Sequence, residues 1–306
     1  WNEYDLSRLM LGTAQLGMAY GVANTAGRPD FRQAVRLIAA AADGGVNCFD
    51  TAAAYGDSEV ILGRALDELG LAEQAVVVTK VRALHKEELT DPSRAAHAIE
   101  QCVAQSRDRL GLDCLPVVLF HREEDAAYMD ILDRLKDRGW LRHAGVSCDH
   151  QPEGAKRLLQ TKGIAAVQVP GNILDIRHQT AGVFRCAADR GTAVFVRSVY
   201  LQGLLLMPEQ AIPPGLEAVI PVRRKLALLS AEAGISIADL ALRYMLAQAG
   251  VACVVVGAET ADQVCKNIRM AASGPIPNDL VAAVDTAVTA ASLPDLVMTP
   301  RLWTTL

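Results

Sequence analysis

Val46-Asn47-Cys48-Phe49-Asp50, then Ser58 ahead of Val60-Ile61-Leu62 and Ala65-Leu66, then Ala75-Val76-Val77-Val78-Thr79-Lys80, reads as strand, helix, strand. The outer runs are short, apolar and rich in valine, as strands covered on both faces are. The middle run carries its apolar residues at helical spacing, with Ser58 placed as a helix cap. Working outward, the alternation repeats. Leu9 to Thr13 is a first strand, and Ala34 to Gly44 its helix, stopped by the Gly44-Gly45 pair. Downstream, Asp91-Pro92-Ser93 opens a helix to about Leu110, with proline near the first helical position, where a missing N–H costs least.

The series continues with strands at Leu115 to His121, Leu141 to Ser147, Ala165 to Val169, Thr192 to Ser198 and Val251 to Val256. Helical stretches stand between them, at Met129 to Arg138, Gly154 to Gln160 and Gln179 to Arg190, with a broken region at Ala218 to Ala233 and Ala238 to Gln248. Eight strands alternating with helices, without a linker-like segment, predict an α/β fold: a single (β/α)8 barrel domain over residues 1–306. The remainder from Asn278 holds one helix, Leu280 to Ala291, and a proline-containing tail expected to pack beside the barrel or over its mouth.

Composition agrees with buried parallel strands and Ala-rich helices: 51% of the 306 residues are hydrophobic and only 5% aromatic. A net charge of -5, from 35 acids and 30 bases, supplies no field to collect nucleic acid or anionic lipid, so the expected partner is a small molecule. Seven scattered cysteines without a Cys-x-x-Cys pair read as reduced thiols with no metal site, and no leader-like or membrane-spanning apolar run appears. These features predict a soluble, cytoplasmic protein.

In such a barrel reactive residues belong at the carboxyl ends of the strands. Asp50 ends the second strand, Tyr55 follows in its loop, Lys80 ends the third and His121 the fourth. Taken singly, each has a plain structural explanation: a cap, a solvated strand end, a loop imidazole. Together they converge on one rim, and Asp50 and Lys80, both borne on apolar strands, are expected to pair, because an unpaired charge there is costly.

Phe49-Asp50-Thr51-Ala52-Ala53-Ala54-Tyr55-Gly56-Asp57-Ser58-Glu59 resembles the aldo-keto reductase family pattern, and the resemblance continues in order through Val78-Thr79-Lys80, Leu119-Phe120-His121, Leu141 to Ser147, Val167 to Asp175 and Gly257-Ala258 to Asn267. It implies a nicotinamide-dependent oxidoreductase. Hydride delivered to a carbonyl carbon leaves negative charge on oxygen that must be protonated as it develops. Tyr55 is then the proton donor and Lys80 the nearby ammonium that favours phenolate. Asp50 holds Lys80, and His121 hydrogen-bonds the substrate oxygen.

No Gly-x-Gly-x-x-Gly follows the first strand, so a Rossmann site is not expected. By resemblance the cofactor lies across the barrel mouth, touching Gly12, Thr13 and Asp50, with Ser147 and Gln168 on the nicotinamide carboxamide. Arg197 stands where many relatives stack an aromatic ring. Ser198, Leu201, Gln202 and Gly203 follow the pyrophosphate, and Gly257, Ala258, Thr260, Gln263 and Asn267 line the adenosine end. Cys148 replaces an asparagine frequent in the family, which removes one amide contact. Glu259 and Asp262, with no base before Lys266, favour NAD over NADP, although Lys266 and Arg269 are positioned to oppose that preference.

On positional grounds Met18, Tyr20, Tyr55, His121, Arg122, Tyr200 and Trp303 wall the substrate pocket. The opening Leu11 to Gly21 resembles a bacterial branch of the family often linked to sugar metabolism, which implies a sugar or sugar-derived carbonyl. Two other readings remain at this point: a barrel aldolase using Lys80 as a Schiff-base nucleophile, which needs that amine neutral and free, and a nicotinamide-binding sensor without catalysis, which would tolerate a broken tetrad.

Overall fold

The computed structural model describes residues 1–19, 21 and 27–305, residues 304 and 305 by backbone alone. Eight parallel strands close into a barrel in chain order: β1 (Leu9–Gly12), β2 (Cys48–Asp50), β3 (Val76–Val81), β4 (Leu115–Phe120), β5 (Leu141–Ser147), β6 (Ile164–Pro170), β7 (Ala193–Arg197) and β8 (Cys253–Gly257). β1 completes the ring by pairing with both β2 and β8.

Around the barrel run α1 (Ala14–Gly17), α2 (Phe31–Asp43), α3 (Ser58–Glu68), α4 (Pro92–Leu110), α5 (Met129–Asp137), α6 (Pro152–Leu158), α7 (Arg177–Thr180), α8 (Val183–Ala188), α9 (Ile220–Glu232), α10 (Ile237–Leu246), α11 (Ala261–Ala272), α12 (Asn278–Ala291) and α13 (Asp295–Met298). The residues that start and stop these helices do so for local reasons. Asp30 Oδ1 accepts from the Gln33 amide at 2.7 Å while the Asp30 amide donates to Gln33 Oε1, so α2 begins three residues before Ala34. Asp91 caps α4, which ends at Gly111 in the left-handed region (φ 67°). The helix expected over Gln179 to Arg190 is divided in two, because Gly182 adopts φ 76° between α7 and α8.

Strand periodicity separates two cores. Met10, Cys48, Val76, Val78, Val117, Leu119, Ala166, Phe195, Cys253 and Val255 fill the barrel interior, and the alternate residues, such as Phe49, Val77, Val118 and Val167, pack outward against the helices. The same parity carried one step further reaches Gly12, Asp50, Lys80, His121, Gln168, Arg197 and Gly257. These therefore form the top layer of the barrel interior, at its carboxyl end.

The tail packs beside the barrel. Asp285 of α12 accepts from Tyr244 of α10 and, at 3.3 Å, from Gln179. Asp295 and Thr299 meet Arg177, which also clasps Asp175 through Nε at 2.7 Å; Arg301 pairs with Asp149. The loops after β5 and β6 are thus fastened to the C-terminal segment.

Candidate active site

Lys80 is fully buried and Asp50 is 5% exposed. Lys80 Nζ donates to Asp50 Oδ1 at 2.6 Å and to the Thr51 carbonyl at 2.9 Å. Burial opposes the ammonium, but the Asp50 carboxylate outweighs it and holds the Lys80 pKa above its ordinary value. Asp50 Oδ1 also accepts from Gln168 Nε2 at 2.6 Å. Since β2 and β6 stand opposite each other in the closed order, this bond crosses the mouth of the barrel.

Tyr55 lies in the loop between β2 and α3, and its placement depends on two glycines. A Cβ on Gly17 would fall 1.8 Å from the Tyr55 carbonyl oxygen and 2.5 Å from the Ser58 amide; one on Gly56, at φ 56°, would fall 2.5 Å from the Gly17 carbonyl. α1 is therefore pressed against the Tyr55 turn backbone to backbone. Ser58 is not the helix cap its position suggests. Asp57 occupies that place without a side-chain capping bond, and the Ser58 hydroxyl, fully buried, donates to the Thr13 carbonyl at 2.8 Å and accepts from Thr51 at 3.0 Å. The hydroxyl thus ties the ends of β1 and β2 together, adding a second donor to a Thr13 carbonyl that already accepts from the Leu16 amide.

Lys80 Nζ stands 5.0 Å from the Tyr55 ring centroid, and the His121 ring meets Tyr55 edge-on with centroids 5.7 Å apart. Burial, and then the positive charges of Lys80, Arg197 and Arg122, push the His121 pKa down to about 3 from an ordinary 6.5. The folded protein keeps this imidazole neutral while the unfolded chain takes up a proton below about 6.5. Acidification from about 6.5 towards 3 therefore removes stability, and alkalinisation above 6.5 changes nothing at this group. The expected result is that the His121 ring protons, followed by NMR, show no titration between pH 8 and 5. A midpoint near 6.5 would contradict the neutral assignment.

A cavity of about 650 Å³ opens from this layer, within the roughly 300–1,000 Å³ of small-molecule and cofactor sites. Asp50, Tyr55, Gly12 and Arg197 line it at the strand ends; Ser198, Tyr200, Gln202 and Gly203 from the loop after β7, and Gly257, Ala258, Glu259, Gln263, Lys266 and Asn267 from β8 and α11, line the rest. Ser198, Leu201 and Gln202 all hold positive φ (68°, 49° and 52°), the turn that carries this loop along the cavity wall.

Not every residue expected on the cofactor is available to it. The Thr13 hydroxyl, 1% exposed, donates to the Asp50 carbonyl at 2.8 Å. Leu201 is buried in the core beneath the loop, and Thr260 caps α11 through the Gln263 amide; neither lines the cavity. Ser147 and Gln168 are register partners at the ends of β5 and β6. Both are buried below the lining, and Gln168 Oε1 has no hydrogen-bond partner among the described residues. Cys148 contributes its backbone: its carbonyl accepts from Arg197 at 3.1 Å, while its thiol is buried.

The substrate wall differs more from expectation. Tyr200 belongs to the cavity wall beside α11, where its hydroxyl donates to Asn267 Oδ1 at 3.1 Å. Trp303 does not line this cavity; its indole packs within the tail and donates to the Leu296 carbonyl at 2.7 Å. His121 meets Tyr55 but does not itself line the cavity, Arg122 and Met18 are exposed and also outside the lining, and Tyr20 lies outside the described residues. Five lining residues not anticipated, Val199, Leu206, Met207, Pro208 and Ala211, come from the loop after β7. That segment carries no periodicity to mark it. Glu59, fully buried and bonded to Thr79 at 2.6 Å beside Lys80, was equally unassigned.

Residues 8–289 match the model of the aldo/keto reductase family, and the chain belongs to that family. It is accordingly an NAD(P)-dependent oxidoreductase that acts on small carbonyl compounds. Among its relatives, the NADH-specific methylglyoxal reductase of Escherichia coli is 29% identical, with 87% of this chain and 90% of that protein covered. Aldo-keto reductase AKR11C1 from Bacillus halodurans in its holo form superposes with a TM-score of 0.77 at 25% identity, covering 96% of this chain and 95% of that one. The glycerol dehydrogenase AKR11B4 from Gluconobacter oxydans gives 0.75 at 25% identity, covering 95% and 94%.

Proposed function

We propose that the chain interconverts a small polyoxygenated carbonyl compound, a sugar or sugar derivative, with its alcohol, using Tyr55 as general acid and base and NAD in preference to NADP. The observation that carries this reading is the convergence of Tyr55 and the neutral His121 on the buried Lys80–Asp50 pair at one end of the cavity. A nicotinamide, when bound, supplies or accepts the hydride.

The residues present suit that group. Asp50, Tyr55 and Arg197 line one end of the cavity, which runs on to Gln263, Lys266 and Asn267 of α11, and Gln168 Oε1, buried just beneath that lining, is an acceptor without a partner among the described residues, the complement of a carboxamide N–H that reaches it. Tyr55 gives its phenolic proton to the substrate oxygen as negative charge develops there, and the Lys80 ammonium stabilises the phenolate that remains. Asp50 keeps Lys80 in place. His121, neutral, donates a hydrogen bond to the same oxygen and positions it. In the reverse direction Tyr55 takes the proton from the alcohol. A Schiff base on Lys80 would need a neutral, free amine, and Lys80 is charged and doubly bonded.

The preference for NAD rests on Glu259, which lines the cavity at its α11 end and would repel a ribose phosphate held near it. The sugar reading rests on the relatives, named for a methylglyoxal reductase and a glycerol dehydrogenase. Titration with NAD(H) and NADP(H), followed by a panel of carbonyls and aldoses, tests both. Tyr55→Phe should lower kcat by about 10²–10⁴-fold while leaving nucleotide affinity unchanged. Tighter NADP(H) binding would show that Lys266 prevails over Glu259, and full activity in Tyr55→Phe would refute the assigned role.

A further inference from the structure

We propose that Arg197 is a charge-discriminating residue: a cation unbalanced by any carboxylate at the reacting end of the cavity, it makes the site hold reduced, neutral nicotinamide more tightly than the oxidised, positively charged form. The inference rests on the nicotinamide reading above.

Arg197 closes β7 on the same inward parity as Phe195 and lines the cavity with Asp50 and Tyr55. Among the described residues its guanidinium donates to neutral oxygens alone, the Cys148 carbonyl at 3.1 Å and Ser198 Oγ at 3.5 Å. Among the described residues it forms no ion pair. Asp50, which lines the same cavity, is committed to Lys80, and Asp149, next after Cys148, to Arg301. His121 is neutral. Asp50 and Lys80 cancel, so among the residues that line this end of the cavity the unbalanced cation is Arg197; Arg122, whose charge also reaches His121, lies outside the lining.

A ring that exchanges hydride with a substrate held by Tyr55 must lie at this end, since Gln263, Lys266 and Asn267 line the cavity on α11 instead. Oxidised nicotinamide is a cation and the reduced ring is neutral. An adjacent guanidinium therefore penalises the oxidised form alone. Because affinities for the two forms and their balance on the protein are linked, tighter holding of the reduced form makes the bound couple a stronger hydride acceptor and favours alcohol or aldose oxidation at this site.

Dissociation constants for NAD and NADH, read by calorimetry or fluorescence quenching, test this without turnover. The parent should bind NADH more tightly. In Arg197→Met and Arg197→Gln the ratio of the oxidised to the reduced constant should fall about tenfold or more, well within what a unit charge a few ångströms from the ring provides at a partly exposed site. Arg197→Lys should keep most of the ratio. The glutamine variant retains a donor for the Cys148 carbonyl and isolates the charge from the bond. A ratio unchanged in Met and Gln, with both forms weakened alike, would overturn the inference and reduce Arg197 to a packing surface while leaving the functional reading intact. A parent that binds neither nucleotide overturns both.

Discussion

Lys80→Met should cost about 3–5 kcal/mol of stability at neutral pH, the range for stripping one partner from a buried ion pair, and should reduce kcat by at least about 10²-fold. The variant leaves the Asp50 carboxylate in a pocket where it is 5% exposed, with Gln168 as its remaining side-chain donor. It also frees the Thr51 carbonyl that Nζ satisfied. Part of the loss is offset by Gln168 and by water entering from the cavity, so the lower end of the range is the expected value. The double variant Asp50→Asn/Lys80→Met removes the stranded charge and should recover most of the stability in a denaturant titration, with no recovery of turnover. A single variant as stable as the parent would mean that the pair is not the electrostatic unit described.

The second large effect concerns a residue with no side chain. Gly17→Ala should lower kcat by about 10²-fold, the scale on which an ångström of misplacement acts, and destabilise by about 1–3 kcal/mol through overpacking. The added methyl would overlap the Tyr55 carbonyl oxygen and the Ser58 amide, both backbone atoms that cannot rotate away. Ser58 is in turn held by Thr13 and Thr51, so the turn cannot retreat towards the barrel without breaking that hydroxyl cluster. The phenol should be displaced. Steady-state kinetics alongside nucleotide binding separates this from general damage: kcat falls while affinity at the α11 end is preserved. A variant with parental kcat would show that Tyr55 tolerates movement of its turn.

What could be read in advance follows from the range of the interactions involved. The barrel and the Asp50–Lys80 pair were legible because both rest on periodicity within short segments: apolar runs define strands, and alternation places residues 48, 50, 76, 78 and 80 on one face. Two charges on neighbouring buried strands have few choices but each other. Ser58 was misread because serine ahead of a helical run is a local cap signal, whereas its hydroxyl is taken up by Thr13 and Thr51 at the ends of β1 and β2, residues far from it in sequence. Trp303 and Tyr200 were assigned by position along the chain, whereas their polar atoms found partners in the tail and in α11. The need for glycine at 17 arises from a contact with a turn about forty residues away, which no local pattern reports.

The bond from Gln168 to Asp50 joins opposite sides of the barrel, and its neighbours extend it: Lys80 to Asp50 from β3, and the Cys148 backbone, bonded to Gln168 and to Arg197, from β5 and β7. Five of the eight staves are thereby laced together at the open end through the carboxylate that holds Lys80 and its neighbours. Heating should consequently not produce an intact but inert enzyme. The lacing cannot slacken without the staves parting, so loss of turnover and loss of shape belong to one event.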